Sequence, residues 1–93
     1  MQPKTSEQIA DLLKCLAHPV KLDIIKLLGA NEHLTVSEIQ SLLGCNCEQS
    51  MLSHHLIKMK DRGVLSSLKN GKFIYYKLEN KKTVALINLI AQL

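Results

Sequence analysis

Two groups of side chains in this 93-residue chain have types and spacings that could do chemistry. The first is Gln49, Ser50, Ser53, His54 and Ile57, with Lys58 beside them. On a helix advancing about 100° per residue, Leu52, Leu56 and Met59 form an apolar stripe. Ser50, Ser53, His54, Ile57 and Asp61 then point largely away from that stripe, and His55 sits on its flank. Solvated helix faces usually carry Glu and Lys, whereas this one presents short hydrogen-bonding groups and one apolar side chain. Such a face suits the base edges and thymine methyl groups of a DNA major groove. The second group is Cys45 and Cys47, in the run Gly44-Cys45-Asn46-Cys47-Glu48 just before that helix. Thiols near a helix N-terminus feel its partial positive charge, which favours the reactive thiolate. Oxidation, persulfidation or capture of a soft ion there would distort the turn that aims the helix. Incidental loop thiols are the alternative.

Other chemistry has no support in the residues. There is no paired carboxylate, no nucleophile and base at helical spacing, and no glycine-rich phosphate loop, so an enzyme is not expected. No cofactor is expected either. Cys45 and Cys47 lack the second ligand pair of a zinc site. His54 and His55 are adjacent on a helix and point about 100° apart, a poor arrangement for sharing one ion. His33 reads as a solvated turn residue, and Cys15 as a small buried one.

The elements that must position these groups follow from periodicity. A first helix is predicted over about Ser6 to Leu16, with Ser6 as cap and Ile9, Leu12, Leu13 and Leu16 at helical spacing. Ala17-His18-Pro19 breaks it, and Pro19 opens a second helix to about Leu28, closed by Gly29. Thr35-Val36-Ser37-Glu38 is a capping box for a short third helix that ends at Gly44. The fourth helix runs from about Glu48 to Arg62. Two β-rich runs, Val64 to Lys69 and Lys72 to Leu78, flank Asn70-Gly71, the sequence of a type I′ hairpin with positive φ at both residues. A last helix, about Asn80 to Leu93, is apolar nearly all round. The fold class is mainly α with a β-hairpin wing: about five helices and two strands in a winged helix-turn-helix, one domain over residues 1–93.

Composition sets the limits. Hydrophobic residues make up 46% and charged residues 22%, an ordinary globular balance, while aromatics are 3%, so the core must be aliphatic. No apolar run reaches the ~18 residues of a membrane span. The polar start Met1-Gln2-Pro3-Lys4 has no apolar signal core, so cytoplasmic residence is expected. Three Cys is an odd number, and reduced thiols are the expectation. Net charge is −2 over residues 1–50 and +6 over residues 51–93. That basic half favours an anionic partner such as double-stranded DNA, with Lys58, Lys69 and Lys72 placed to meet phosphate. A chain this small buries only roughly 60–65% of its unfolded surface, which with the apolar last helix favours a homodimer.

Several runs resemble one family. Leu13-Lys14-Cys15-Leu16-Ala17-His18-Pro19-Val20-Lys21-Leu22 resembles the "LKALAHPTRL" signature of ArsR/SmtB transcriptional regulators. Gln49-Ser50-Met51-Leu52-Ser53-His54-His55-Leu56 resembles their recognition helix, and Lys69-Asn70-Gly71-Lys72 with Tyr75-Tyr76-Lys77-Leu78 resembles their wing. The resemblance covers nearly the whole chain. It implies a homodimeric repressor with its first and last helices paired across a two-fold axis. It departs where metal would bind. Thr35 and Ser37 stand where many members have two Cys, and residues 81–93 hold no His, Asp or Glu. No metal site is therefore expected, and a thiol-reactive or thiophilic effector at Cys45 and Cys47 is the remaining candidate signal. A winged-helix module that binds protein rather than DNA is the alternative function.

Overall fold

The computed structural model describes residues 2–44 and 47–93. Helix α1 (Ser6–Leu16) is capped by Thr5, not Ser6. The Thr5 hydroxyl accepts from the Gln8 N–H at 3.2 Å, and Gln8 Oε1 accepts from the Thr5 N–H at 2.9 Å. Thr5 wins because only it has a Gln three residues on to close the reciprocal pair. Helix α2 (Pro19–Ala30) starts at its proline, and the His18 ring accepts the Val20 N–H at 3.1 Å. Strand β1 (Leu34–Thr35) leads directly into α3 (Val36–Leu43). Thr35 and Glu38 form the expected capping box, and those hydrogen bonds hold the Glu38 carboxyl below its ordinary pKa. Gly44 ends α3 with φ 64°, the left-handed cap that favours glycine.

Helix α4 (Gln49–Asp61) buries its stripe completely: Leu52, Leu56 and Met59 each have 0% exposure. They meet Ile24, Ile25 and Leu28 of α2 and Ile39 of α3, all at 0%. The centre is thus aliphatic, as the composition requires. Strands β2 (Leu65–Asn70) and β3 (Phe73–Leu78) form the hairpin, and Leu65, Tyr76 and Leu78 turn inward to extend the core. Helix α5 (Lys82–Ala91) packs on α2 through Ile87 and half-buried Val84, its first turn held by Asn80 Oδ1 accepting the Lys82 N–H at 2.9 Å.

Three expectations need correction. The sheet has three strands in the order β1-β3-β2, with Leu34 opposite Tyr76 and Thr35 opposite Tyr75. The hairpin turn lies one residue later than expected. Asn70 pairs with Phe73 inside the ladder, which leaves Gly71-Lys72 as the two-residue loop. Only Gly71 has positive φ, at 65°, the pattern of a type II′ turn with glycine first. Gly29 does not close α2. It lies within the helix, and Asn31 takes the C-cap, its backbone N–H and side-chain Nδ2 both donating to the Leu27 carbonyl.

Gly29 instead marks a close helix contact. A Cβ there would lie 2.5 Å from Val84 Cγ2 of α5. Alanine is a better helix former than glycine by about 1 kcal/mol, so propensity alone predicts that Gly29→Ala stabilises. The contact predicts the reverse, because Val84 is β-branched and stiff at χ1. Gly29→Ala should lower the stability of the chain by about 1–3 kcal/mol. Adding Val84→Ala should recover part of that loss, as read by paired thermal and urea melts.

Candidate nucleic-acid interface

The α3–α4 pair is the positioning device. Gln40 of α3 donates from Nε2 to the Cys47 carbonyl at 2.9 Å, tying the turn to α3. Gln49, at the start of α4, reaches Ser37 Oγ at 3.5 Å, a long contact at the geometric limit. Five residues, 44–48, separate the two helices. With its stripe locked into the core, α4 presents its other face outward.

Most sequence-predicted site residues lie on that outward face. Gln49, Ser50, His54 and Lys58 are exposed, and Ile57 is 50% exposed. Ser53 is half-buried, nearer the core flank than the others. Met51, not singled out from the sequence, is 52% exposed and adds a second apolar group to this face. Counting every position around the wheel would have found it, since it falls about 100° from Leu52. His55 lies on the flank as expected, half-buried. The helix N-terminus carries no acidic residue in its first turn that would repel phosphate.

Lys69 and Lys72 are both exposed on the wing, Lys72 in the turn itself. The Lys72 ammonium lies 5.5 Å from the centre of the Phe73 ring. A cation this close to a ring face is weakly held, so it is oriented yet available to phosphate. The hairpin is anchored at its base by inward Leu65, Tyr76 and Leu78, and it ends in Leu68 at 70% exposure and the exposed Gly71-Lys72 tip. The arrangement is one helix for a groove and one cationic finger for the backbone beside it.

Cys45 lies outside the described residues. Cys47 is half-buried and disulfide-bonded, against the expectation of a reduced thiol. Cys15 is a free thiol, half-buried rather than buried. Among the described residues no three His, Cys, Asp or Glu side chains converge on a metal position. No helix among them is long and apolar enough to cross a membrane.

Comparison with known proteins points the same way. A family model described as bacterial regulatory protein, arsR family, matches residues 18–67. The transcriptional repressor PagR of Bacillus anthracis is 38% identical over 84 residues, covering 90% of this chain and 82% of PagR. Its crystal structure superposes with a TM-score of 0.76. The biofilm growth-associated repressor of Xylella fastidiosa is 32% identical over 87 residues, covering 94% of this chain and 74% of the relative. The transcriptional repressor BigR from Xylella fastidiosa, a solved structure 30% identical, gives a TM-score of 0.80 over 94% of this chain and 86% of that one. HlyU of Vibrio cholerae, named a transcriptional activator, is 33% identical over 90 residues, covering 97% of this chain and 81% of HlyU. Its structure gives a TM-score of 0.80. The chain belongs to the arsR family of bacterial regulatory proteins, winged-helix transcriptional regulators that bind DNA.

Proposed function

We propose that this regulator works as a homodimeric repressor in the cytoplasm, each protomer laying α4 in a major groove and its wing along the flanking backbone. The observation that carries this reading is the division of α4 into one wholly buried face and one face of Gln49, Ser50, His54 and Ile57. Two relatives named as repressors support repression rather than activation. Gln49, Ser50, Ser53 and His54 read base edges, Ile57 meets a thymine methyl, and Lys58, Lys69 and Lys72 neutralise phosphate.

The dimer face comes from α1 and α5. On α5, Leu86, Leu89 and Ile90 fall at i, i+3 and i+4 and are 41%, 65% and 51% exposed, and Leu93, two residues past its end, is 103% exposed. On α1, Ile9 and Leu13 are each 46% exposed. Leu16 and Ile87 lie outside this face, because they belong to the protomer's own core at 5% and 8% exposure. Leu12 is half-buried against that core. These apolar side chains are left exposed by the protomer's own packing, which supports their pairing across a two-fold axis. Two α4 helices related by that axis would address half-sites about 34 Å apart.

The signal is the finer part of the proposal. Cys45 and Cys47 interconvert between dithiol and disulfide, two protons and two electrons passing to an oxidant, or they accept a persulfide or a soft ion. The hydrogen bond from Gln40 to the Cys47 carbonyl supports a link from this chemistry to α3 and hence to the seat of α4.

Three outcomes test these assignments. Leu89→Lys, at a position exposed in the protomer, should give a folded monomer by sedimentation, whereas the parent sediments as a dimer at micromolar concentration. A parent that is a well-folded monomer there removes the dimer from the proposal. On an operator selected from random duplexes, Ser50→Ala and His54→Ala should narrow the gap between operator and random DNA. Lys72→Ala should weaken both about equally and lower the salt slope by about one. An unchanged slope would show that the wing tip does not meet phosphate. Added to the fully reduced protein, oxidant or a persulfide donor should weaken operator binding roughly tenfold or more, through loss of base contacts at about 1–3 kcal/mol each. Cys45→Ser/Cys47→Ser should bind normally and ignore the treatment, and a double variant that still responds locates the signal elsewhere.

A further inference from the structure

His55 has an unusual environment. Both of its ring nitrogens are sealed from solvent and have no hydrogen-bond partner. Among the described residues only Ser66 Oγ shares that condition. Buried polar atoms are nearly always paired, so an imidazole with neither nitrogen satisfied needs a physical account. The group covering it is His18, whose ring lies 4.6 Å away, centre to centre, tilted by 48°. His18 is itself engaged. Its Nδ1 accepts the Val20 N–H and so caps α2. That acceptor role requires Nδ1 to be unprotonated, which puts the ring proton on Nε2.

We infer that His18 and His55 form a neutral imidazole latch that seats the recognition helix α4 on the α1–α2 turn, and that protonating His55 unseats it. The arrangement tolerates no positive charge. An imidazolium at His55 would place two N–H donors where no acceptor exists, against a second imidazole at van der Waals distance. The charged groups acting on His55 are all cationic when ionised: His18 from the turn, Lys21 from α2, and His54 and Lys58 from α4 itself. A cleft shared by Lys21 and Lys58 also holds Asp11 and Lys14 of α1 with Asp61 and Arg62 at the end of α4, and neither carboxylate acts on His55. Burial first, then these cations, hold the His55 imidazole below its ordinary pKa. The sign follows. The stability of the seated form is complete above the ordinary imidazole pKa of about 6.5 and is lost as the pH falls from there through the lowered value.

The latch makes an unusual demand on DNA binding. Acidification adds positive charge to a DNA-binding protein, and phosphate contacts alone would then tighten the complex. The latch requires the opposite. It rests on α4 being the groove-reading element, so its test has one arm without DNA. Hydrogen-exchange protection is followed residue by residue from about pH 7.5 to about pH 5.5, alongside the ring resonances of the four histidines. Protection in α4 and the first turn of α2 should fall roughly five- to tenfold on acidification, while the centre of α2 and α5 falls less. Operator affinity should fall with it. His55→Phe keeps a ring against His18 and cannot titrate, so its α4 protection should stay flat and its complex should tighten slightly in acid. His18→Asn keeps a side-chain cap for α2 but uncovers the His55 ring to water, so most of the pH response should go as well. Flat α4 protection in the parent, a uniform loss over all helices, or an acid response retained by His55→Phe would each overturn the latch. If His55→Phe fails to fold, the parent's titration and His18→Asn still decide it. Loss of α4 protection without loss of operator affinity would leave the latch standing and show that α4 does not read the groove.

Discussion

Everything functional in this chain hangs on one aliphatic junction. Seven side chains have less than 2% exposure: Ile24, Ile25 and Leu28 from α2, Ile39 from α3, and Leu52, Leu56 and Met59 from α4. They come from α2, α3 and α4, and among the described residues no charged or polar residue is buried with them. Close-packed aliphatic side chains leave no slack for a helix to roll, because a shift of a fraction of an ångström forfeits contacts along its whole length. The outward face of α4, the one proposed to meet DNA, is therefore set by its buried face. Three residues at helical spacing fix the direction of Ser50, His54 and Ile57 more firmly than any hydrogen bond those residues make.

That dependence explains which features were legible in the sequence. The α4 stripe was readable because its period is a local property, and the same holds for the Thr35–Glu38 capping box. Gly29 was misread because a glycine after Leu27-Leu28 looks the same whether it ends a helix or admits a neighbour. Only Val84, far along the chain, decides between the two. Strand β1 was invisible because two residues carry no period, and its existence depends on Tyr75 and Tyr76 lying alongside. The Asn70-Gly71 signal gave the hairpin but not its register. Inward Leu65, Tyr76 and Leu78 set the ladder, and the ladder absorbs Asn70 and leaves Lys72 at the tip. The last helix was readable as apolar but not as divided. Its buried edge is defined by α2, and its free edge becomes visible only when that contact is known.

The distribution of charge follows the same logic. The aliphatic junction excludes every ionised group, so the 12 basic residues must all lie at the surface. Lys58, Lys69 and Lys72 occupy the recognition helix and the wing, where an anionic surface would pass. Their contribution is attraction and register, which any sequence of DNA supplies equally. On the proposed reading, discrimination comes from the short uncharged groups on α4, and these have little reach. A face built this way depends on accurate placement, which the junction provides and which any disturbance of the α3–α4 turn would spoil.

Two features, one at the N-terminal end of α4 and one on its flank, bear on that placement. At the N-terminal end, the turn carrying Cys47 is tied to α3 through Gln40. On the flank, His55 lies under His18, joining α4 to the start of α2. Neither feature adds to the core, and neither is needed for a helix to form. Both lie beside groups whose chemistry can change: the tie to α3 is made by the backbone carbonyl of a residue whose side chain is a sulfur, and the other contact is made by an imidazole itself. A wholly aliphatic seat would be insensitive to redox state and pH, because nothing in it can be oxidised at a thiol or protonated. Placing titratable and oxidisable groups at the rim of that seat, outside the junction, leaves the fold intact while the angle of the reading helix becomes adjustable. Contacts worth about 1–3 kcal/mol each are lost by small displacements. A modest change at either rim is then enough to alter occupancy of an operator without unfolding the protein.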